Sequence, residues 1–131
     1  LGLSRGACEA AVKYARERVQ FGKPIGQFQM IQERLANMAV NIEASELLVY
    51  QCAKMADAGK AQSMNKEAAC AKLFASETCM WITTEAVQIF GGYGYIREFP
   101  VERYMRDAKM HTIGAGSSQI MCTIIAKELM K

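Results

Sequence analysis

Apolar residues recur along most of this chain at steps of three and four, the spacing of one face of an α-helix, and nowhere alternate at period two for long enough to build a sheet. Around Ala7, Ala11, Tyr14 and Arg18 that spacing predicts a first helix, interrupted by Gly22 and Pro24. Beyond the Gly22 to Gly26 loop, Ile31, Leu35, Met38, Ile42, Ser45, Val49, Cys52 and Ala56 form a stripe about seven turns long. Gly59 is expected to cap the end of this second helix. Ser63 or Asn65 is placed to cap a third, whose stripe runs through Ala69, Leu73, Ser76, Met80, Thr83, Val87 and Phe90 until Gly91-Gly92 stops it. Two shorter helical stretches follow, near Val101 to Lys109 and Ser117 to Lys131, and Gly91 to Phe99 reads as a tight loop. Long amphipathic helices joined by a short link favour antiparallel packing. The expected fold is all-α, an antiparallel four-helix up-and-down bundle forming one domain over residues 1–131.

Composition narrows the partners. An apolar fraction of 51% suits a packed core, and the methionines and alanines along the stripes read as packing residues. A net charge of +3, with Lys and Arg interleaved among Glu and Asp, is too dispersed for a nucleic-acid footprint. No apolar run approaches the roughly 20 residues that span a bilayer, so no membrane partner is expected. The five cysteines have no metal-ligand spacing and His111 is the sole histidine, so no metal site is expected; the thiols read as small buried hydrophobes in a reducing compartment. The helical pattern is already running at Leu1, which is not a methionine, so the natural N-terminus is expected upstream.

Three segments break the periodicity with residues that packing does not require. Arg18-Val19-Gln20-Phe21-Gly22 puts a guanidinium beside an aromatic residue and a glycine, suited to a phosphate with Phe21 alongside, or to a helix C-terminus favoured by the macrodipole. Gln88 to Gly94 puts an amide side chain next to two glycines that let a ligand approach the backbone, or forms a plain cap and turn. Gly114-Ala115-Gly116-Ser117-Ser118-Gln119 feeds a helix N-terminus, where free N–H groups and hydroxyls can hold an anionic or carbonyl group and Ser117 or Ser118 can cap.

Together with Tyr104-Met105-Arg106-Asp107-Ala108-Lys109, these segments resemble, in order and separation, the C-terminal helical domain of the acyl-CoA dehydrogenase family, and the likeness covers essentially the whole chain. The resemblance implies FAD as cofactor, oxidation of acyl-CoA to trans-2-enoyl-CoA with a Glu as base and flavin N5 as hydride acceptor, and electron-transferring flavoprotein as partner. It implies a tetramer packed through this domain, in a bacterial cytoplasm or the mitochondrial matrix. An isolated copy of this domain should be inactive and should self-associate. By the same resemblance Arg18 and Gln29 contact FAD, Arg18 at its pyrophosphate; Gln88, Ile89, Phe90, Gly91 and Gly92 meet the adenine-nucleotide half, in part on a neighbouring subunit's flavin. Ser117, Ser118 and Gln119 match the flavin-contacting Thr-Ser-Gln or Thr-Ser-Glu turn, with Ser117 in place of Thr, and Ala115 and Gly116 match positions beside the substrate thioester.

The sequence departs from the family's common pattern at Ala115, where many members carry the catalytic Glu; a methyl group cannot accept a proton. Isovaleryl-CoA and long-chain acyl-CoA dehydrogenases keep Gly-Ala-Gly here and carry the Glu upstream of the segment matching Leu1-Gly2-Leu3. On this resemblance no catalytic residue is assigned within the chain, the base is expected before Leu1, and a branched short-chain substrate is favoured. Glu9 and Glu17 read as solvated helix-face charges, and Asp107 as a partner in structural ion pairing. The alternatives are a related acyl-CoA oxidase or nitroalkane oxidase-like flavoprotein, and a non-catalytic helical scaffold.

Overall fold

In a computed structural model describing residues 1–131, the first helix, α1 (Gly2–Glu17), buries Ser4, Ala7, Ala11 and Ala15. Four small residues along one face let a neighbouring backbone come close. That neighbour is α3 (Asn65–Phe90), which also packs against α2 (Gln29–Asp57), α5 (Val101–Ile113) and α6 (Ser118–Leu129). The remaining elements are a two-stranded hairpin, β1 (Val19–Gln20) with β2 (Lys23–Pro24), two 3₁₀ turns (Ile25–Gln27 and Ala61–Ser63), and one helical turn, α4 (Gly92–Tyr95).

Cross-contacts fix the directions of the helices. Arg34 near the start of α2 pairs with Glu85 near the end of α3, so these two run antiparallel. Tyr14 stacks on Phe90 while Leu1 lies beside Ala71 and Ala75, so α1 runs parallel to α3. Phe99, just before α5, meets Phe90, whereas Ser118 at the start of α6 meets Glu77 and Glu128 near its end lies beside Asn65. Hence α5 and α6 follow one another down the same side of α3, antiparallel to it. The bundle has four columns when α5 and α6 are counted as one column interrupted at Gly114 to Ser117.

Because α3 is surrounded, its burial exceeds one stripe. Ala69, Ser76, Thr83 and Phe90 of the expected seam are buried, but so are Ala71, Cys79, Ile82, Ala86 and Ile89 on other faces. Met38, Ile82 and Val101 are fully enclosed, each contributing about 1.5–3 kcal/mol on burial. The Thr83 hydroxyl donates to the Cys79 carbonyl at 2.9 Å and the Ser45 hydroxyl to Asn41 at 2.8 Å, and no buried side-chain polar atom lacks a partner.

The helix ends refine the reading of the sequence. Gly59, at φ 75°, closes α2 in a Schellman motif: Lys60 N–H donates to Met55 and Gly59 N–H to Ala56, both at 3.0 Å. Neither Ser63 nor Asn65 caps α3, whose N-cap is Met64; the Ser63 hydroxyl donates to the Lys60 carbonyl instead. The hairpin was not foreseen, since two residues per strand are too short for alternation to register; its tip residues Phe21 (φ 53°) and Gly22 (φ 79°) both have the positive φ of a type I′ turn. Within the expected tight loop from Gly91 to Phe99, Gly92 to Tyr95 coils into a helical turn.

Burial of the thiols also differs from expectation: only Cys79 is buried, Cys8, Cys52 and Cys70 are half-buried and Cys122 is exposed. Among the methionines Met38, Met64 and Met121 are buried, while Met30, Met110 and Met130 face outward. Asp107 is exposed and forms no ion pair, because its neighbour Arg106 turns back one helical turn to Glu102 at 3.2 Å. Glu9 and Glu17 are exposed. No helix is long and apolar enough to cross a membrane, and no group of three or more His, Cys, Asp or Glu is placed to hold a metal ion.

Candidate functional site

The residues singled out in the sequence gather in two places. The first is where α1 and α3 end together. Tyr14 and Phe90 stack with ring centroids 4.0 Å apart and planes 15° from parallel, and Phe99 meets both rings edge-on at 6.2 and 5.5 Å. Tyr93 adds a further edge contact to Phe99 at 5.5 Å. This aromatic group holds the ends of α1, α3 and α4 in register, each such pair contributing about 0.5–1.5 kcal/mol beyond area burial.

Arg18, the C-cap of α1, lies with its guanidinium 5.1 Å from the centre of the Tyr93 ring. It is half-buried and pairs with no carboxylate of this chain. Tyr93, not Phe21, is thus the aromatic beside it: Phe21 stands at the hairpin tip, 92% exposed, with its ring edge-on to Phe28. A cleft of about 530 Å³ joins Arg18 to Ile89, Phe90, Gly91 and Gly92. At Gly91 φ is 61° and ψ −137°, a conformation essentially reserved for glycine. A Cβ built on Gly91 or Gly92 would meet nothing, so the backbone there faces open space. Gly94 is different, because a Cβ there would sit 2.5 Å from the Val87 carbonyl. Gln29 and Gln88 line an adjoining cleft of about 870 Å³ that shares Ile89 with the first and includes Lys23 and Arg34. The structure therefore brings all seven expected residues from Arg18 to Gly92 to one end of the bundle.

The second place is the break between α5 and α6. Gly114 N–H still closes α5 onto Met110 at 2.7 Å, after which Ala115 (φ 54°) and Gly116 (φ 92°) turn through the left-handed region. For alanine that conformation costs about 1 kcal/mol or slightly more. Ser117, not Ser118, is the N-cap of α6; its oxygen accepts from Ile120 N–H at 3.5 Å. The amide N–H groups of residues 115 to 119 donate to no acceptor in this chain, so five consecutive donors remain free. Gln119 is exposed and its side chain bonds to nothing. The Ser118 hydroxyl, by contrast, is engaged by the Glu77 carboxylate. Lys72 donates its ammonium to the Gly116 carbonyl.

Reading the sequence did not single out Lys72 or Glu77, and gave Tyr93 no role of its own within the Gln88 to Gly94 segment. Lys72 and Glu77 look like solvated charges until α6 is folded against α3, and their contacts cross 44 and 41 residues. The one local signal was a single charge, Lys72, set in the apolar run from Ala68 to Ala75. The two places are well separated, with Glu77 and Gln88 about 16 Å apart along the α3 axis.

Ala115 lines a cleft of about 410 Å³ together with Leu1, Ala71, Lys72, Cys79 and His111. Its walls are chiefly apolar and contain no carboxylate, whereas a second cleft that Ala115 lines, of about 550 Å³, includes Glu128 near the end of α6. Burial raises the Cys8 thiol above its ordinary range, as does the nearby Glu9 carboxylate to a smaller degree. Cys52 is raised for the same principal reason, with smaller effects of Glu67 and Cys70. Both shifts disfavour the thiolate, opposite to what an activated nucleophile requires.

Comparison with known proteins gives the family and the fold. The chain is 47% identical over its whole length to cyclohexane-1-carbonyl-CoA dehydrogenase of Geobacter metallireducens, covering 34% of that protein. It is 48% identical, again over its whole length, to the caffeyl-CoA reductase-Etf complex subunit CarC of Acetobacterium woodii, covering 34% of it. Among solved structures, butyryl-CoA dehydrogenase from Megasphaera elsdenii superposes with a TM-score of 0.96 at 45% identity, over 99% of this chain and 33% of that one. The chain thus spans about a third of the length of the relatives it matches. Residues 1–130 match the family described as acyl-CoA dehydrogenase, C-terminal domain, and the chain belongs to that family.

Proposed function

We propose that this chain is the C-terminal domain of an FAD-dependent acyl-CoA dehydrogenase and that it holds the cofactor at two separate places. The observation that carries the reading is the unpaired Arg18 guanidinium beside the open backbone of Gly91 and Gly92. An unpaired, half-buried guanidinium next to backbone free of Cβ atoms fits a pyrophosphate, so these residues suit FAD. Gln29 and Gln88, on the adjoining cleft, offer amide groups to the adenosine half. At the other end, the free amides of residues 115 to 119, the Ser117 hydroxyl and the Gln119 amide suit the carbonyl-rich flavin ring and a thioester oxygen. Ser118 contributes less than its position in the motif suggests, because Glu77 occupies its hydroxyl.

FAD, when bound, supplies the acceptor for the hydride that leaves the acyl chain. The chain's own residues orient the thioester and exclude other geometries. Ala115 supplies no base, so the carboxylate that removes the α-proton comes from outside residues 1–131. That Leu1 borders the same cleft as Ala115 supports a base supplied from before Leu1. On this reading the small side chain at residue 115 leaves room for a branched acyl group. The neighbour's flavin receives the Arg18 end in a tetramer packed through this domain, and electrons leave to an electron-transferring flavoprotein; the Acetobacterium relative is itself named as a subunit of an Etf complex.

The test is anaerobic titration of the full-length protein with short and branched acyl-CoAs while the visible flavin band is recorded. Bleaching supports a dehydrogenase; a bound flavin that no acyl-CoA bleaches favours an oxidase acting on another substrate, and the absence of flavin favours a non-catalytic scaffold.

A further inference from the structure

We infer that Lys72 is a positioning residue for the break between α5 and α6: by holding the Gly116 carbonyl it keeps the left-handed Ala115–Gly116 pair in place and sharpens the donor end of the peptide that follows. The inference rests on the flavoprotein reading above and adds a residue to it.

Three observations lead there. Hydrogen bonds local to the chain hold the two sides of the break, through Gly114 to Met110 and Met121 to Ser117, and the Ser118 hydroxyl reaches back to the Thr112 carbonyl at 3.4 Å, but the backbone of Ala115 and Gly116 is itself left untied. Only two side chains from another element hydrogen-bond to the break, Lys72 to the Gly116 carbonyl and Glu77 to the Ser118 hydroxyl, and both come from α3. Lys72 is half-buried, forms no ion pair with any carboxylate, and borders both clefts that Ala115 lines.

The consequence is electrostatic as well as steric. The carbonyl that accepts from Lys72 belongs to the Gly116–Ser117 peptide, whose N–H end is one of the free amides. A cation on one end of a peptide polarises the other, so Ser117 N–H becomes a stronger donor. Steric support matters because Ala115 has φ 54°, a conformation L-residues leave unless held. Glu77 fixes the start of α6 through Ser118, while Lys72 fixes the turn that leads to it. Arginine can replace this function, having the charge and the reach; methionine has the reach alone.

The experiment compares Lys72→Arg, Lys72→Met and the double variant Lys72→Met with Ala115→Gly in the full-length FAD-loaded protein. Readouts are the visible spectrum of bound flavin, amide hydrogen exchange at residues 115–119, FAD affinity, thermal midpoint and the rate of flavin reduction by acyl-CoA. Lys72→Met is expected to speed exchange at residues 115–119, shift the flavin band, and slow reduction about tenfold or more, the loss expected for one charge-assisted hydrogen bond. Lys72→Arg should restore the band and most of the rate. Ala115→Gly in the Met background should restore part of the protection, since glycine adopts the turn without support, and should fold even if Lys72→Met alone does not.

The proposal is overturned if Lys72→Met leaves the band and exchange at residues 115–119 unchanged, if Arg is no better than Met, or if neither Met variant folds, in which case Lys72 is a general packing group. If the wild-type protein binds FAD but no acyl-CoA reduces it, the dehydrogenase reading fails while the spectrum and exchange still decide the role of Lys72. If it binds no FAD, both fail.

Discussion

The two ends of this domain are built by opposite means. Where α1 and α3 finish together, stacked rings of Tyr14 and Phe90, braced by Phe99 and Tyr93, form an apolar platform on which Arg18 lies unpaired. At the α5–α6 break there is no aromatic support; the backbone is left with five free amides and is tied to α3 by Lys72 and Glu77. The first end is rigid because its neighbours are packed; the second is shaped because its carbonyl and hydroxyl groups are held. A bulky anion needs a fixed cation with room around it, whereas a ring and a thioester need directed donors.

The contrast can be broken by substitution, and the largest effect belongs to the packed end. Tyr14→Ala should lower the unfolding free energy by about 3 kcal/mol, the usual scale for removing an aromatic ring from a packed cluster; urea denaturation checks this. Arg18→Met should leave that stability within about 0.5 kcal/mol but weaken FAD binding about ten- to a hundredfold, the value of a charge-assisted contact, measured by equilibrium dialysis. At the break, Ala115→Gly relieves a left-handed alanine and should stabilise the protein by up to about 1 kcal/mol, with no loss of FAD affinity at the Arg18 end.

The smallest effect is in mild alkali. The Cys8 and Cys52 thiols are raised above their unfolded values, chiefly by burial, so the folded state retains protons that the unfolded state loses. Their contribution is complete below the unfolded thiol value and falls as pH rises through it towards the folded values. Thermal midpoints should therefore decline slightly above about pH 8.5, and the decline should shrink in a Cys8→Ala variant. Alkylation at neutral pH should be fastest at the exposed Cys122 and slowest at the buried Cys79.

How far the sequence could be read follows the same division. The cluster of Tyr14, Phe90, Tyr93 and Phe99, drawn from separate parts of the chain, was not legible, whereas the segment Gln88 to Gly92 was, because its residues are consecutive and a double glycine after a helix has a local meaning. The helical column of α2 was equally plain, its cap at Gly59 included. The surrounded position of α3 was not, because burial on several faces blurs a single stripe, and the fourth column's interruption by Gly114 to Ser117 could be placed but not seen as a break in one continuous path. Tyr93 in place of Phe21 beside Arg18 depends on where α4 coils. Glu77 left no sequence signal and Lys72 only that of a lone charge in an apolar run, because their partners lie about 40 residues away and a charged side chain acquires a role only when folding supplies its partner.

The most direct measurement is a crystal structure of the full-length protein with FAD and an acyl-CoA bound. The account expects the Arg18 guanidinium and the Gly91–Gly92 backbone against the pyrophosphate of one flavin, and the amides of residues 115 to 119 against the ring of a flavin and the thioester, with the Gly116 carbonyl still on Lys72. A flavin that touches neither place, or an Arg18 paired with a protein carboxylate instead of a phosphate, would contradict it.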